Sequence, residues 1–282
     1  MDFRAMVVND LQCPLHDQRA FDVACQVGAD FKPDVLDING DWFDLLSLST
    51  YGGIRSLNEK TVVDFDSELE RGISLAKTMI KAVKPKRVHW KNGNHEFRFV
   101  RAFTRISDAA AKAIVNSQRL KHIYDYRNLF DFDSFGVKVT YAGDYPNGLW
   151  LHPTLPPDQN VWVEHGYIAR KNSGYTATAL VQERGTSVIV GHCERLALIW
   201  KHSVGDRNYF GIENGNLSLI GVPPSGGHTN GQGLYFGVPH SVPDFMNHQQ
   251  GMSLLTHNGE WFPELIRISK GKAVYAGKTY KS

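Results

Sequence analysis

At 282 residues, with 42% hydrophobic and 21% charged residues, the chain is long enough to bury a large core, and its balance excludes a disordered or low-complexity protein. A formal net charge of +2 gives no global attraction to nucleic acid or to an anionic membrane, although it leaves room for a local basic groove. Three cysteines, Cys13, Cys25 and Cys193, with no CxxC pair, exclude a disulfide framework and fit a reducing cytosol.

In chain order, the short apolar run Ala5 to Asn9 predicts a strand covered on both faces. Asp17 to Gly28 follows as a helix, with Asp17 as N-cap and Phe21, Ala24 and Cys25 on one face. Pro33 starts a second strand, Asp34 to Ile38, and the β-α-β order makes the pair parallel. Trp42 to Asn58 reads as loop. Glu59 to Val83 is the clearest helix, with Phe65, Leu69, Ile73, Ala76, Ile80 and Val83 at three- and four-residue steps. Its neighbours Asp66, Glu68, Glu70, Arg71, Lys77 and Lys81 are expected to face water. Arg87 to Trp90 is the third parallel strand, and Phe97 to Val115 a basic helical region. Tyr124 to Phe135 reads as irregular, Val137 to Tyr141 as a strand, and the proline-rich Pro146 to Asn160 as an ordered loop.

The second half predicts strands at Val161 to Val163 and Ser187 to Val190, with a helix from Thr176 to Arg184 between them. A strand-rich remainder covers Leu196 to Trp200, Tyr209 to Ile212, Leu217 to Ile220, Met252 to His257 and Glu264 to Ile268, with a hairpin at Asn258-Gly259. Between them, about 223–250, lies a long loop of the kind that is often functional, with His228, His240 and His248 in or near it. No repeat or linker divides the chain, so residues 1–282 are expected to form one domain. No apolar run approaches the length that spans a bilayer, and Met1-Asp2-Phe3-Arg4 leads into a strand without a signal-peptide core. The expectation is a cytoplasmic protein with no membrane partner.

The chemistry gathers where strands end. The first stops at Asp10-Leu11-Gln12, the second at Gly40-Asp41, and the third at Asn92-Gly93-Asn94-His95-Glu96. Later strands reach Glu164-His165-Gly166 and Gly191-His192-Cys193-Glu194. Metal-capable side chains at strand carboxyl ends sit where open α/β sheets place ligands.

In this order the motifs Asp10-x-Gln12, Gly40-Asp41, Gly93-Asn94-His95-Glu96, His165-Gly166 and Gly191-His192-x-Glu194 resemble the calcineurin-like metallophosphoesterase superfamily, whose pattern is DxH, GD, GNH[DE], H and GHxH. Pro14-Leu15-His16-Asp17 and Gln249-Gln250-Gly251 look like its phage and bacterial branch, which would place the protein in a host cytoplasm. The resemblance implies a four-layer αββα sandwich of two mixed β-sheets flanked by helices. It also implies two divalent metal ions. Asp10, Gln12, Asp41 and Glu194 would hold one, and Asp41, Asn94, His165 and His192 the other, with Asp41 bridging. His95 would act near the leaving group as general acid or stabiliser, Arg98 would contact phosphate, and the nucleophile would be a metal-bridging hydroxide.

The chain departs from the pattern at Gln12 and Glu194, both on one metal. That half becomes all-oxygen, which favours Mn2+ over Zn2+, with Mg2+, Fe, Zn2+ and Ni2+ as alternatives. The implied reaction is hydrolysis of phosphodiester bonds in DNA, RNA or a nucleotide. The alternatives are a phosphomonoesterase acting on a protein or small molecule, and a non-catalytic module that binds nucleic acid or protein. Asp37 and His89 read as buried support, Asp44 as support for the loop after Asp41, and His16 as a loop residue or support for the site. Trp42, Tyr167 and Tyr235 read mainly as packing, with base stacking as the alternative.

Overall fold

Short apolar strands alternate with amphipathic helices through the first half, and that order builds a parallel sheet. The computed structural model describes residues 2–45, 48, 65–104, 125–143, 145–202, 208–220, 234–235, 238–239 and 248–282. It begins β1 (Phe3–Val8), α1 (Gln18–Phe31), β2 (Val35–Asn39), α2 (Phe65–Val83), β3 (Arg87–Lys91), α3 (Phe97–Thr104). A short helix α4 (Tyr126–Leu129) and a 3-10 turn (Phe132–Phe135) precede β4 (Lys138–Tyr141). Then come β5 (Gly148–Trp150), β6 (Val161–Glu164), α5 (Tyr175–Arg184), β7 (Ser187–Val190), β8 (Leu196–His202) and β9 (Asn208–Asn214). The two-residue strands β10 (Leu234–Tyr235) and β11 (Val238–Pro239) pair with each other. The chain closes with β12 (Gly251–His257), β13 (Trp261–Arg267), β14 (Lys272–Tyr275) and β15 (Lys278–Lys281).

Two mixed sheets result. The first runs β13-β12-β1-β2-β3-β4, parallel from β1 to β4 and antiparallel at β12 and β13. The second runs β5-β6-β7-β9-β8, with β6, β7 and β9 parallel. Strand alternation divides the first sheet's side chains between two cores. Met6, Val8, Leu36, Ile38, Val88 and Trp90 join the α1 and α2 faces in one cluster. Ala5, Val7 and Val35 join Val161, Val163, Ile189, Phe210, Ile212 and Leu255 in the other, between the sheets. Each fully buried large side chain there contributes roughly 1.5–3 kcal/mol by leaving water. Helix α5 packs outside the second sheet against β7 and β9, which completes the expected four layers.

Local chemistry sets the helix ends. The Asp17 side chain caps α1 by accepting from Arg19 N–H at 2.9 Å, and Lys32 ends the helix in the left-handed region. Along α2, Leu69, Ala76, Ile80 and Val83 are buried as the spacing predicts, but Glu68 is buried too, because its turn of the helix faces Cys13. Residues 59–64 of the predicted helix, and 105–115 of the next, lie outside the described residues, as do His228 and His240.

Three other expectations change. Of the stretch Tyr124 to Phe135, Tyr124 lies outside the described residues, and 125–135 contain helical turns whose Phe130, Phe132 and Phe135 rings surround Trp90, so aromatic packing orders them. The proline-rich Pro146 to Asn160 includes β5 and a 3-10 turn at Pro157–Gln159. Leu217 to Ile220 forms no strand. Leu217 donates to Asp10 O and accepts from Asp17 N–H, and its carriage across the loop after β1 leaves only isolated bridges. The Asn258-Gly259 turn joins β12 to β13 as predicted, closing on the His257 and Trp261 pair.

Candidate metal centre

Register brings the motifs together. Val8, Ile38 and Trp90 lie side by side at the ends of β1, β2 and β3, so the loops carrying Asp10, Asp41 and Asn94 leave the sheet at one level. In the facing sheet Glu164, Val190 and Glu213 are aligned, which sends His165 and His192 into the same space. Asparagines tie the sheets together there: Asn39 Nδ2 donates to Glu164 O at 2.9 Å, and Asn214 Nδ2 donates to Val7 O at 3.0 Å.

Asp41, His165 and His192 offer ligand atoms within 4.8 Å of one another. Asn94 Oδ1 sits between the imidazoles, 2.8 Å from His192 Nδ1 and 3.2 Å from His165 Nε2. His165 Nε2 also lies 3.2 Å from Asp41 Oδ2. The opposite ring nitrogen, Nδ1, is 2.9 Å from Asn39 O and must be the protonated one there, which aims Nε2 at the cluster. Asp10 joins through its Oδ2, which accepts from His192 N–H at 3.0 Å, while its buried Oδ1 has no hydrogen-bond partner. Gln12 and Glu194 meet each other, Nε2 to Oε1 at 3.0 Å.

The backbone is strained where these residues sit. Asp10, Gln12, Asp41, His192 and Glu194 all have φ between 49° and 58°, a region that non-glycine residues rarely occupy. The motif glycines answer a space requirement. A Cβ on Gly93 would stand 2.1 Å from Asp41 Oδ1, and one on Gly40, itself at φ +82°, would stand 2.6 Å from His165 Nδ1.

Glu96 braces the same loops. Its Oε2 accepts from Gly93 N–H at 2.7 Å and Asp41 N–H at 3.0 Å, and its Oε1 from Phe43 N–H at 2.9 Å. His95 stands beside the cluster, with Nδ1 2.5 Å from Asp44 Oδ1 and Nε2 3.7 Å from Asp41 Oδ2. Arg98 is turned toward this pair. Its Nη1 donates to Asp44 O at 2.6 Å and to Asp44 Oδ1 at 3.1 Å, and its Nη2 is 3.2 Å from His95 Nε2. His16 points elsewhere, to Gln18 and the Phe21 ring, and Trp42 is packed against Trp90 with its Nε1–H on Gly72 O. Asp37 and His89 are buried as expected, with Asp37 2.5 Å from the fully buried Lys91.

The electrostatics describe a site short of positive charge. Burial raises Asp10 well above the ordinary carboxylate value, with Asp41 and Glu194 adding to it. Burial also opposes charge on His165, but Asp41 and Asp10 outweigh it and raise this imidazole to about 10. Asp41 is held below its ordinary value against burial, by His165 and His95. Burial and the neighbouring His165 lower His192 to about 4, leaving it neutral and able to donate a lone pair. A proton on His165 is thus the polypeptide's own counter-charge for buried carboxylates. A divalent cation would supply more charge at the same place, satisfy Asp10 Oδ1 and leave both imidazoles neutral, so the donor set fits a metal.

Some of this lay beyond sequence reasoning. Asn9, Asn39 and Asn214 carry no motif, and their roles depend on the facing sheet. From the sequence His248 reads as a residue near the long loop that could reach substrate; in the fold its Nδ1 lies 3.0 Å from Glu194 Oε2. The adjoining Gln249-Gln250 was the one signal near it.

No protein-family model matches the chain. It is 26% identical over its whole length, and theirs, to the Gene 54 proteins of Mycobacterium phage D29 and Mycobacterium phage L5. Among solved structures it is similar to vacuolar protein sorting 29 from Cryptosporidium parvum, with 12% identity, 100% and 99% of the two chains covered and a TM-score of 0.45. Wild-type Vps29 from Entamoeba histolytica, solved with zinc, matches at 12% identity, 99% and 98% coverage and a TM-score of 0.41. Similarity of this degree establishes neither an activity nor a ligand. No helix among the described residues is long and apolar enough to cross a membrane.

Proposed function

We propose that the chain is a hydrolase of the metallophosphoesterase type that cleaves phosphodiester bonds in nucleic acid or nucleotides. The observation that carries this reading is the convergence of Asp41, Asn94, His165 and His192 on one point, with the His165 tautomer set by Asn39. Asp10, Gln12 and Glu194 adjoin it and extend the donor set to a second ion, with Mn2+ the favoured metal. Two bound cations would activate water and offset the charge on phosphoryl oxygens.

The chain's own residues supply the rest. His95 is the proton donor to the leaving group. Burial opposes its charging, but Asp41 and Asp44 outweigh burial and Arg98 and hold its pKa above the ordinary value, which favours the acid form. Asp44 fixes the ring, and Arg98 fixes Asp44. Two and three residues after His165, Tyr167 and Ile168 are 63% and 43% exposed and offer an apolar platform for a nucleobase, which supports the nucleotide class.

The test is hydrolysis of bis-p-nitrophenyl phosphate and p-nitrophenyl phosphate with Mn2+, Mg2+, Zn2+ or Ni2+, beside Asp41→Asn and His95→Asn. Preferred cleavage of the diester with Mn2+, lost in both variants, is expected. Preference for the monoester selects a phosphomonoesterase. A wild type that holds fewer than two ions and cleaves neither ester overturns the enzyme reading.

A further inference from the structure

The half of the centre built on Gln12 and Glu194 contains no imidazole from its own motifs, and the fold brings one to it from elsewhere. His248 stands just before β12, and its Nδ1 is 3.0 Å from Glu194 Oε2. The other carboxylate oxygen, Oε1, is 3.0 Å from Gln12 Nε2. Glu194 therefore lies between an amide and an imidazole at equal distances. Two ligands at right angles on one ion, each bonded at about 2.1 Å, also stand about 3.0 Å apart. The amide of Gln12 presents oxygen instead of nitrogen by a simple flip.

The placement of His248 is built into the scaffold. Gln249 N–H donates to Glu194 O at 2.8 Å, Leu196 N–H donates to Gln249 Oε1 at 3.0 Å, and Asn216 N–H donates to Gln249 O at 3.1 Å. Asn216 Nδ2 donates in turn to Glu194 O at 3.1 Å. The residue after His248 is thus fastened to both sides of Glu194. The imidazole itself is mostly buried, with 20% of its side chain exposed. Asp10, whose buried Oδ1 has no hydrogen-bond partner, is the residue expected to complete this half of the centre.

We propose that His248 is a ligand of the metal ion held by Gln12 and Glu194, and that it provides that ion's imidazole from a segment remote in sequence. The proposal rests on the metal-dependent reading above. It also revises the all-oxygen expectation, because one nitrogen donor widens the site toward borderline ions such as Co2+ and Zn2+.

The experiment loads purified full-length wild type, His248→Ala and His248→Gln with Mn2+ and counts ions by plasma mass spectrometry after gel filtration. Electron–nuclear double resonance on protein carrying 15N-histidine then counts the histidine nitrogens on manganese. Expected are two ions in the wild type and one in each variant, the second bound more than about 100-fold more weakly, beyond what losing a residue that merely orients a ligand commonly costs. One histidine nitrogen coupling should vanish with it. Two ions and unchanged couplings in both variants overturn the assignment. So does a milder loss of affinity with unchanged couplings, which makes His248 only an orienting partner of Glu194. A wild type that binds no manganese overturns the metal reading itself, a different result from either.

Discussion

Glu96→Gln changes one atom of a fully buried side chain and tests how the centre is held together. The carboxylate receives three backbone N–H groups, Gly93 and Asp41 on Oε2 and Phe43 on Oε1. In the variant the amide oxygen takes the first two, and the amide NH2 confronts Phe43 N–H, donor against donor. Leaving that buried N–H without an acceptor costs about 1–3 kcal/mol. The two remaining bonds lose their charge assistance, at about 1 kcal/mol each. Removing a negative charge near Asp41 gives back about 1 kcal/mol, since Asp41 raises the Glu96 pKa alongside burial. The net expectation is a loss of about 2–4 kcal/mol, measured by urea denaturation. Because the bonds that brace Gly93 and Asp41 lose their charge assistance and the Phe43 anchor is lost, Mn2+ affinity measured by calorimetry should fall about 10- to 100-fold. A loss under about 1 kcal/mol with unchanged Mn2+ affinity refutes the bracing role.

Three further outcomes follow from the geometry. Lys91→Met leaves Asp37 buried without its ion partner and should cost about 3–5 kcal/mol, most of it recovered in Lys91→Met/Asp37→Leu; a single variant as stable as wild type contradicts the buried pair. His165, raised from 6.5 to about 10, favours the folded metal-free protein fully below pH 6.5, and this contribution is lost as pH rises toward 10. Metal binding at pH 8 should therefore release about one proton, seen by calorimetry in buffers of different ionisation enthalpy; no release would contradict the protonated imidazole. Asp44→Asn removes a charge that raises the His95 pKa, so the alkaline limb of the pH–rate profile should move to lower pH, and an unmoved limb excludes His95 as the acid.

How much of this was legible beforehand varies by residue. Gly40-Asp41 and Gly93-Asn94-His95 could be read locally, because a parallel strand ends where its apolar run ends and the next side chains point into the crevice. The glycines there are explained by contacts, Gly93 against Asp41 Oδ1 and Gly40 against His165, that a sequence marks but does not justify. Arg98 reads as a phosphate contact, and the fold places it on Asp44 and His95. Glu68 reads as solvated, but its turn of α2 faces the loop after β1.

The sequence alone therefore determined the alternation of strands and helices, the parallel run β1-β2-β3 and the kinds of donor available, since these depend on periodicity and on side-chain chemistry within a few residues. Only the tertiary structure decided which donors meet. The alignment of Val8 with Ile38 and Trp90, and of Glu164 with Val190 and Glu213, sets three strand ends at one level in each sheet. Sheet-on-sheet packing through Val7, Val35, Val163 and Ile212 then presses them together. The approach of His248 to Glu194 depends on the return of β12 beside β1, a pairing between distant segments that no local pattern encodes.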